Sequence, residues 1–350
     1  MGAQVQHSLL PLTRQYLRRH ARRLGRSLRG ASDRADVEAI HQVRVACRRL
    51  RTGFRVFKDI LGERTVRRWR RSIRPLAKKL GEARDLDVEI QATSQHIARV
   101  EDVQLIPGVT YWLAHLERER ARLQPKVRRA VRKFLRSGTL SDMRRWWKRW
   151  GDEGTPQSES TGNHARDAAR MTFQISILHR RLEAFQKAAA SLGDPADQDG
   201  HHVFRIKAKK LRYSLESLLP VLGSLAEVAV EALRQIQEWA GEIHDYDVWS
   251  ARLDKAIRRV EAADPMEPRW LNPQRLLPGL NALEQYYRQT RTQVFDRLRD
   301  FCSQQKLQNL WRSLEQSQFL GDSCDPEQLA AKPASDGPDG ERILGATTED

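Results

Sequence analysis

Two short runs of the 350-residue sequence set a histidine ahead of a series of cations in the same order. The first is His41-Gln-Val-Arg44-Val-Ala-Cys-Arg48-Arg49-Leu50-Arg51. The second, 161 residues later, is His202-Val-Phe-Arg205-Ile-Lys-Ala-Lys209-Lys210-Leu211-Arg212. In the first run the stripe continues, so that His41, Arg44, Arg48, Arg51, Arg55 and Lys58 recur at three- and four-residue steps with no acid among them. Such steps fall on one face of a helix. Like charges at these spacings destabilise a helix by roughly 0.2–0.5 kcal/mol per pair. A row left unneutralised in both copies therefore implies a polyanion that neutralises it. Guanidinium forks grip two oxygens of an oxyanion at once, while ammonium groups such as Lys209 and Lys210 act as point charges. Either histidine, near a helix N-terminus, can donate to a phosphate oxygen, and a neighbouring polyanion would raise its pKa. The alternative for each is a helix cap or a bond to a carboxylate.

The elements that carry these residues read as helices. One position before most of the first stripe runs an apolar seam, Ile40, Val43, Cys47, Leu50, Phe54, Phe57 and Leu61, which predicts the buried face. In the second copy the seam is Phe204, Ala208, Leu211, Leu215, Leu218 and Leu222. A third helix pairs apolar Val66, Trp69, Ile73, Leu76 and Leu80 with basic Arg67, Arg71, Arg74 and Lys78. On the first helix Arg18, Arg22, Arg26 and Arg29 repeat the spacing. The expectation is that these edges converge on a common cavity.

The repeat extends beyond the stripes. Leu61-Gly62 matches Leu222-Gly223, and Gly81-Glu82-Ala-Arg84-Asp85-Leu-Asp87 matches Gly241-Glu242-Ile-His244-Asp245-Tyr-Asp247 at an offset of 160. Segments in the same order at nearly constant separation indicate a duplication. Each half is expected to hold four helices: 4–29, 36–61, 64–100 and 108–149, the last broken near Pro125 or Gly138, then 164–191, 199–222, 225–262 and 277–316. Pro265, Pro268 and Pro273 are placed in the loop before the last. The predicted fold is all-α, two antiparallel four-helix bundles related by a pseudo-twofold axis. Residues 1–150 form the first bundle, 151–164 a linker, 165–320 the second bundle and 321–350 a disordered acidic tail.

Composition bounds the partners. The chain carries 62 Lys+Arg against 45 Asp+Glu, a net charge of +17, and 49 of the bases are Arg. Eight acids and only two bases lie in 321–350, which leaves +23 on residues 1–320. Such an excess must face something negative or repel itself. No run of about 18 apolar residues exists and the N-terminus has no apolar stretch, which argues against membrane insertion and secretion. Three scattered cysteines suggest a reducing compartment and a cytoplasmic protein.

HQVRVACRRLRTGFRVF and HVFRIKAKKLRYSLE, each followed by a GE-x-x-D-x-D segment, resemble the two halves of the CHAD domain, the conserved histidine α-helical domain. The resemblance covers residues 1–318. It implies two four-helix bundles around a basic central channel that binds inorganic polyphosphate, often at polyphosphate granules. It points to His41, Arg44, Arg48, Arg49 and Arg51, and to His202, Arg205, Lys209, Lys210 and Arg212 as ligands; the stripes add Arg55, Arg74 and Lys78. The second half departs from the first: Glu216 stands opposite Arg55, Glu238 opposite Lys78 and His244 opposite Arg84, so it is expected to contribute fewer contacts.

Rival chemistries are weaker. Asp85 and Asp87, like Asp245 and Asp247, point about 200° apart on a helix, poor geometry for an acid/base dyad. Orienting the arginines by salt bridges is the more economical role. No His-x-x-x-His occurs, His201 and His202 are adjacent, and only His244 with Asp247 could share an ion, so no metal is expected. There is no Gly-rich phosphate loop and no Glu-x-Glu-x-Lys strand. Neither catalytic residues nor a cofactor are expected. The cluster Met143-Arg-Arg-Trp146-Trp147-Lys-Arg-Trp150 resembles single-strand nucleic-acid binders, but its spacing favours burial. A nucleic-acid binder and a phosphoanhydride-processing enzyme remain the alternatives, with granule-associated proteins as further partners of a binding protein.

Overall fold

Ile40, Val43, Cys47, Leu50 and Phe54 are fully buried, and so are Trp69, Ile73, Leu76, Phe204, Ala208, Leu211 and Leu215 to within a percent. The seams are the core, and the helices take their places from them. The computed structural model describes residues 9–34, 36–149, 161–262 and 272–316. Among these, α1 (Leu9–Ser27), α2 (Val37–Val56), the single turn α3 (Lys58–Leu61), α4 (Glu63–Ile97), α5 (Ile106–Arg136) and α6 (Thr139–Arg149) make up the first half. The second contains α7 (Thr161–Ala188), α8 (Gln198–Glu261), α9 (Pro273–Ser303) and α10 (Gln305–Gln316). No strand occurs among the described residues. None of their helices is long and apolar enough to cross a membrane.

Boundaries follow local chemistry. Asp36 caps α2 by accepting from the Ala39 amide at 2.7 Å, and Asp197 caps α8 by accepting from the Gly200 amide at 2.9 Å, again 161 positions apart. These caps satisfy amides that no helical carbonyl reaches. At the far end of each stripe stands a glycine with positive φ, Gly62 at 78° and Gly223 at 71°, a conformation that costs other residues steric strain. Gly62 separates α3 from α4, whereas Gly223 kinks α8, so the expected helices 199–222 and 225–262 run as two arms of one span.

Some boundaries differ from expectation. The helix expected over 108–149 does break at Gly138, φ 67°, one of its two expected places, whereas the other, Pro125, sits inside an unbroken α5. A long packed helix absorbs the one hydrogen bond that proline removes, while a left-handed residue ends it. Pro273 opens α9 instead of lying in the loop, because a first-turn position needs no amide donor. The helix expected to run to 316 is interrupted at extended Gln304. Residues 161–164, expected in the linker, belong to α7. Residues 4–8, the rest of the linker, Pro265, Pro268 and the acidic tail lie outside the described residues.

The halves do not keep separate cores. One buried cluster takes side chains from α1, α2, α4, α6, α7, α8 and α10 together. A second joins Val109, Trp112 and Leu116 of α5 to Trp249, Leu253 and Ile257 of α8 and to Leu280, Leu283 and Tyr287 of α9. Here α5 and α9 touch backbone to backbone: a Cβ at Gly108 would stand 2.2 Å from Leu276 O, and one at Gly279 would stand 2.0 Å from Leu105 O. The same region buries Glu89 completely, ion-paired to Arg252, and burial pushes its carboxyl up to about 7.

Candidate polyanion site

With each seam turned inward, the positions beside it on α2 and on the first arm of α8 come to the boundary between the halves, where the two helices pack together. Lys209 shows how close the rows are. Burial, reinforced by Arg205 of its own helix and by Arg48, Arg44 and Arg51 of α2, holds its ammonium down at about 8. Arg48 is likewise pushed down, by burial and by Arg212, Arg44 and Arg205. Arg44 is fixed by donating from Nη1 to Gly81 O at 3.0 Å and to Asp85 Oδ1 at 2.6 Å. Arg44, Arg48, Arg51, Arg205 and Lys209 thus form one cationic group drawn from both copies, in which crowding disfavours every added charge.

Tyr213 holds the inner layer together. Its ring lies under the guanidinium carbons of Arg48, Arg49 and Arg212 at 5.1, 4.9 and 4.9 Å. Cation–π contact and π-stacking partly offset the repulsion among the three. Glu216 of α8 ion-pairs with Arg49 of α2, Arg49 Nη2 donating to Oε1 at 3.0 Å, and lies 3.9 Å from Arg212. Tyr16 of α1 donates to the Arg49 carbonyl at 3.0 Å. Arg49 and Arg212 are therefore engaged between the halves, and Arg212 is buried. Tyr213 and the cross-half partner of Glu216 escaped the sequence reading. The available signal was an aromatic inside a basic stripe, at the position where the first copy has Thr52.

The histidines sit at the other end. His41 is half-buried, its pKa lowered by burial and then by Arg84, Arg48 and Arg44 against the opposing pull of Glu38. His202 packs on His244 with ring centroids 4.6 Å apart and the two Nδ1 atoms at 3.3 Å. Burial, Arg205 and His202 hold His244 down at about 4 despite Asp85. Asp245 is raised to about 6 by burial and by Asp85 against Arg205, Arg44 and Arg84.

Towards the glycine turns the basic surface continues outward. Arg55 on α2, partly covered by its neighbours, is pushed down by that partial burial and by Arg70 and Arg51. Arg181 of α7 is held at about 10 by burial and by Arg55, and Lys210 is lowered by burial, Arg55, Lys207 and Arg181. Arg74 and Lys78 are exposed on α4, on the stretch between Arg70, which acts on Arg55, and Gly81, which receives Arg44. The α1 row does not join them: Arg18 and Arg22 line a groove against α6 with Arg14, Arg144 and Lys148. On α1 the face toward α2 is taken instead by Tyr16 and by Arg23, which donates to Gln42 at 2.7 Å.

The paired aspartates diverge as their spacing demands. Asp85 holds Arg44 of α2, whereas Asp87 holds buried Arg120 of α5 at 2.6 Å. Asp247 repeats the second role with Arg291 of α9, also at 2.6 Å. Arg120 is tied through Gln124 to Ser32 O, and Arg291 to Pro195 O, so both arginines bind the helices to the turns that precede the capping aspartates. His201 lies in this framework, within 3.0 Å of Ser191 O. No group of three or more His, Cys, Asp or Glu side chains able to hold a metal ion occurs among the described residues. Met143 and Trp147 are buried, and Trp146 packs edge-on to Trp69 at 6.5 Å, the burial that their spacing favoured. Trp150 lies outside the described residues.

A model of the CHAD domain matches residues 15–254 of the chain. Among solved structures it is similar to the CHAD domain from the plant Ricinus communis, with a TM-score of 0.57 and 19% identity over 86% of this chain and 93% of that one. It is also similar to PptA from Streptomyces chartreusis, with a TM-score of 0.51 and 17% identity over 83% of this chain and 98% of the other. At these identities the likeness is one of fold. No curated protein matches the chain significantly.

Proposed function

Since the chain belongs to the CHAD domain family, we propose that its cationic rows serve to bind inorganic polyphosphate, and that the protein acts as a binding protein and not as an enzyme. In this reading the halves are bundles related by a pseudo-twofold axis, and the rows of α2 and α8 face each other across it as the walls of a basic channel. Polyphosphate has about one negative charge per internal phosphate and no bases to read, so recognition rests on oxyanion contacts alone. The observation that carries the proposal is Lys209, whose charge is opposed by arginines from both copies. A polyanion placed among these groups relieves their mutual repulsion, and the closer they crowd the more it relieves. Arg44, Arg48, Arg51, Arg205 and Lys209 would grip the chain, with His41 and His202 donating at one end and Arg55, Arg74, Lys78 and Lys210 extending the track. Arg49 and Arg212 set the spacing of the rows. Polyphosphate granules, and proteins associated with them, are the proposed setting.

Retention on immobilised long-chain polyphosphate across a salt series, with heparin and DNA as competitors, tests this. Log affinity should fall linearly with log salt by about 0.7 per phosphate contact if the chain behaves as a single-stranded polyanion. Orthophosphate should compete weakly. Duplex DNA that displaces polyphosphate at equal charge would replace this reading with an open nucleic-acid surface. Phosphate release from the bound chain would make the protein an enzyme.

A further inference from the structure

The second copy opens its row with a pair of imidazoles that the first copy lacks. His202, which precedes Arg205 and Lys209 on the first arm of α8, packs against His244 of the second arm with the two Nδ1 atoms 3.3 Å apart. At the position equivalent to His244 the first copy has Arg84. A guanidinium carries only donors, so His41 gains no acceptor from it. Arg84 instead disfavours the charge of His41.

Two ring nitrogens at hydrogen-bond distance share a single proton: with a proton on each the N–H groups collide, and with none the lone pairs face each other. One ring therefore donates and the other accepts. His244 is the ring held neutral. Burial first, then Arg205 and His202, and then Lys209 keep it down at about 4 against Asp85 of α4, whose carboxylate is already engaged by Arg44 of α2. A neutral imidazole with its proton on Nε2 offers a bare Nδ1. His202 can then carry both of its protons, one directed at His244 and the other, on Nε2, left for a phosphate oxygen. The reverse arrangement, with His244 donating, leaves His202 neutral and hence the weaker donor, beside a polyanion that favours the charged form.

We propose that His244 is a positioning residue for polyphosphate: it accepts from His202 Nδ1, fixes that ring, and makes His202 a cationic donor whose contact with the chain strengthens as pH falls through neutrality. This inference rests on the polyphosphate reading. The second copy, poorer in arginine along its row, thereby gains a contact that the first copy does not have. Its pH window lies below that of Lys209, which is held at about 8.

Retention of the full chain on long-chain polyphosphate at fixed salt, followed from pH 5.5 to 7.5, tests the proposal. Affinity of the unaltered protein should rise as pH falls, since binding takes up a proton. Part of that rise belongs to Asp245, which is raised to about 6 and faces Arg205, Asp85, Arg44 and Arg84, so the variants decide. His202→Phe and His244→Leu should each cost about tenfold at pH 6 and clearly less at pH 7.5, and the double variant should lose no more than either. His244→Gln, whose side-chain carbonyl can accept, should restore both affinity and slope. Added to Asp245→Asn, His244→Leu should cost as much as it does alone. Nitrogen NMR of the complex at pH 6 should show His202 protonated on both ring nitrogens and His244 neutral with a bare Nδ1. Additive losses, a deficit independent of pH, or failure of glutamine to rescue would reduce His244 to packing and overturn the proposal, as would a proton on His244 Nδ1 in the complex. Retention absent at every pH defeats the polyphosphate reading and this inference with it, whereas retention that ignores His244→Leu defeats the inference alone.

Discussion

The stripes on α2 and on the first arm of α8 share one sequence pattern and form different surfaces. On α2 the row is purely cationic, with Arg51 and Arg55 exposed. On α8 three positions have changed character: Tyr213 stands where the first copy has Thr52, Glu216 where it has Arg55, and His244 where it has Arg84. Tyr213 and Glu216 lie between the halves, Tyr213 beneath the guanidinium groups and Glu216 against Arg49, while His244 packs on His202 of its own half. Under the proposed function, a binding row must both attract its ligand and hold together without it, and uniform charge serves only the first need. On that reading one copy is left to grip, while the other is altered to couple.

That division can be broken by experiment. The largest effect is expected for Arg44→Ala/Arg48→Ala, which removes two charge-assisted contacts of about 1.5–3 kcal/mol each and should weaken long-chain polyphosphate binding at least a hundredfold. Arg205→Ala/Lys209→Ala should cost about tenfold. Equal losses would show that the copies contribute alike, and no loss in either would remove the rows from the site. Next in size is Glu216→Ala, which leaves Arg49 and Arg212 facing each other and should lower stability by about 3 kcal/mol in denaturant unfolding, as breaking a buried pair does. Arg55→Ala, the equivalent change in the first copy, should be nearly neutral for stability.

A smaller effect concerns pH. Because Lys209 is held near 8 in the free protein, below its ordinary 10.5, it loses its proton as pH rises through 8. A bound polyanion favours the charged form, so binding takes up a proton between these values and affinity falls as pH rises from about 8 to about 10. Lys209→Arg should flatten the profile, which polyphosphate retention at fixed salt would register. The folded state carries the corresponding stability with opposite sign: a lysine with lowered pKa penalises folding below 8, and that penalty disappears toward 10.5. Smallest of all is removal of residues 321–350, which should strengthen binding severalfold if the acidic tail competes for the rows and change nothing if it does not.

Much of this was legible because helical periodicity states burial directly. Every seam residue of the first stripe, from Ile40 to Leu61, is buried, and of the cations one position on, Arg44, Arg48 and Arg51 come close to Lys209 of the other half. Periodicity says which face a residue occupies on its own helix but not which neighbour that face meets. Hence Arg18 and Arg22 could be placed on a row, while their turning to α6 depended on a groove between α1 and α6 that no local pattern encodes. The partnership of Glu216 with Arg49 spans 167 positions and was hidden for the same reason. Asp85 and Asp87 were an intermediate case: the angle between them was given by helix geometry, and only their separate partners, Arg44 and Arg120, required the fold. The shared cores were invisible because a seam is equally apolar whether its own half or the other covers it.

The contact of α5 with α9 at Gly108 and Gly279 places a limit on how this duplicated chain can diverge. Elsewhere each copy can exchange side chains against slack in its surroundings. At this crossing the main chains themselves are the packing surfaces, and even one methyl group would act as a wedge between them. Such a wedge would sit at the tips of long helical levers, and prying the tips apart would tilt the distant arms that bear the arginines. Two residues without side chains, outside both cationic rows, thus act as the gauge block for the molecule.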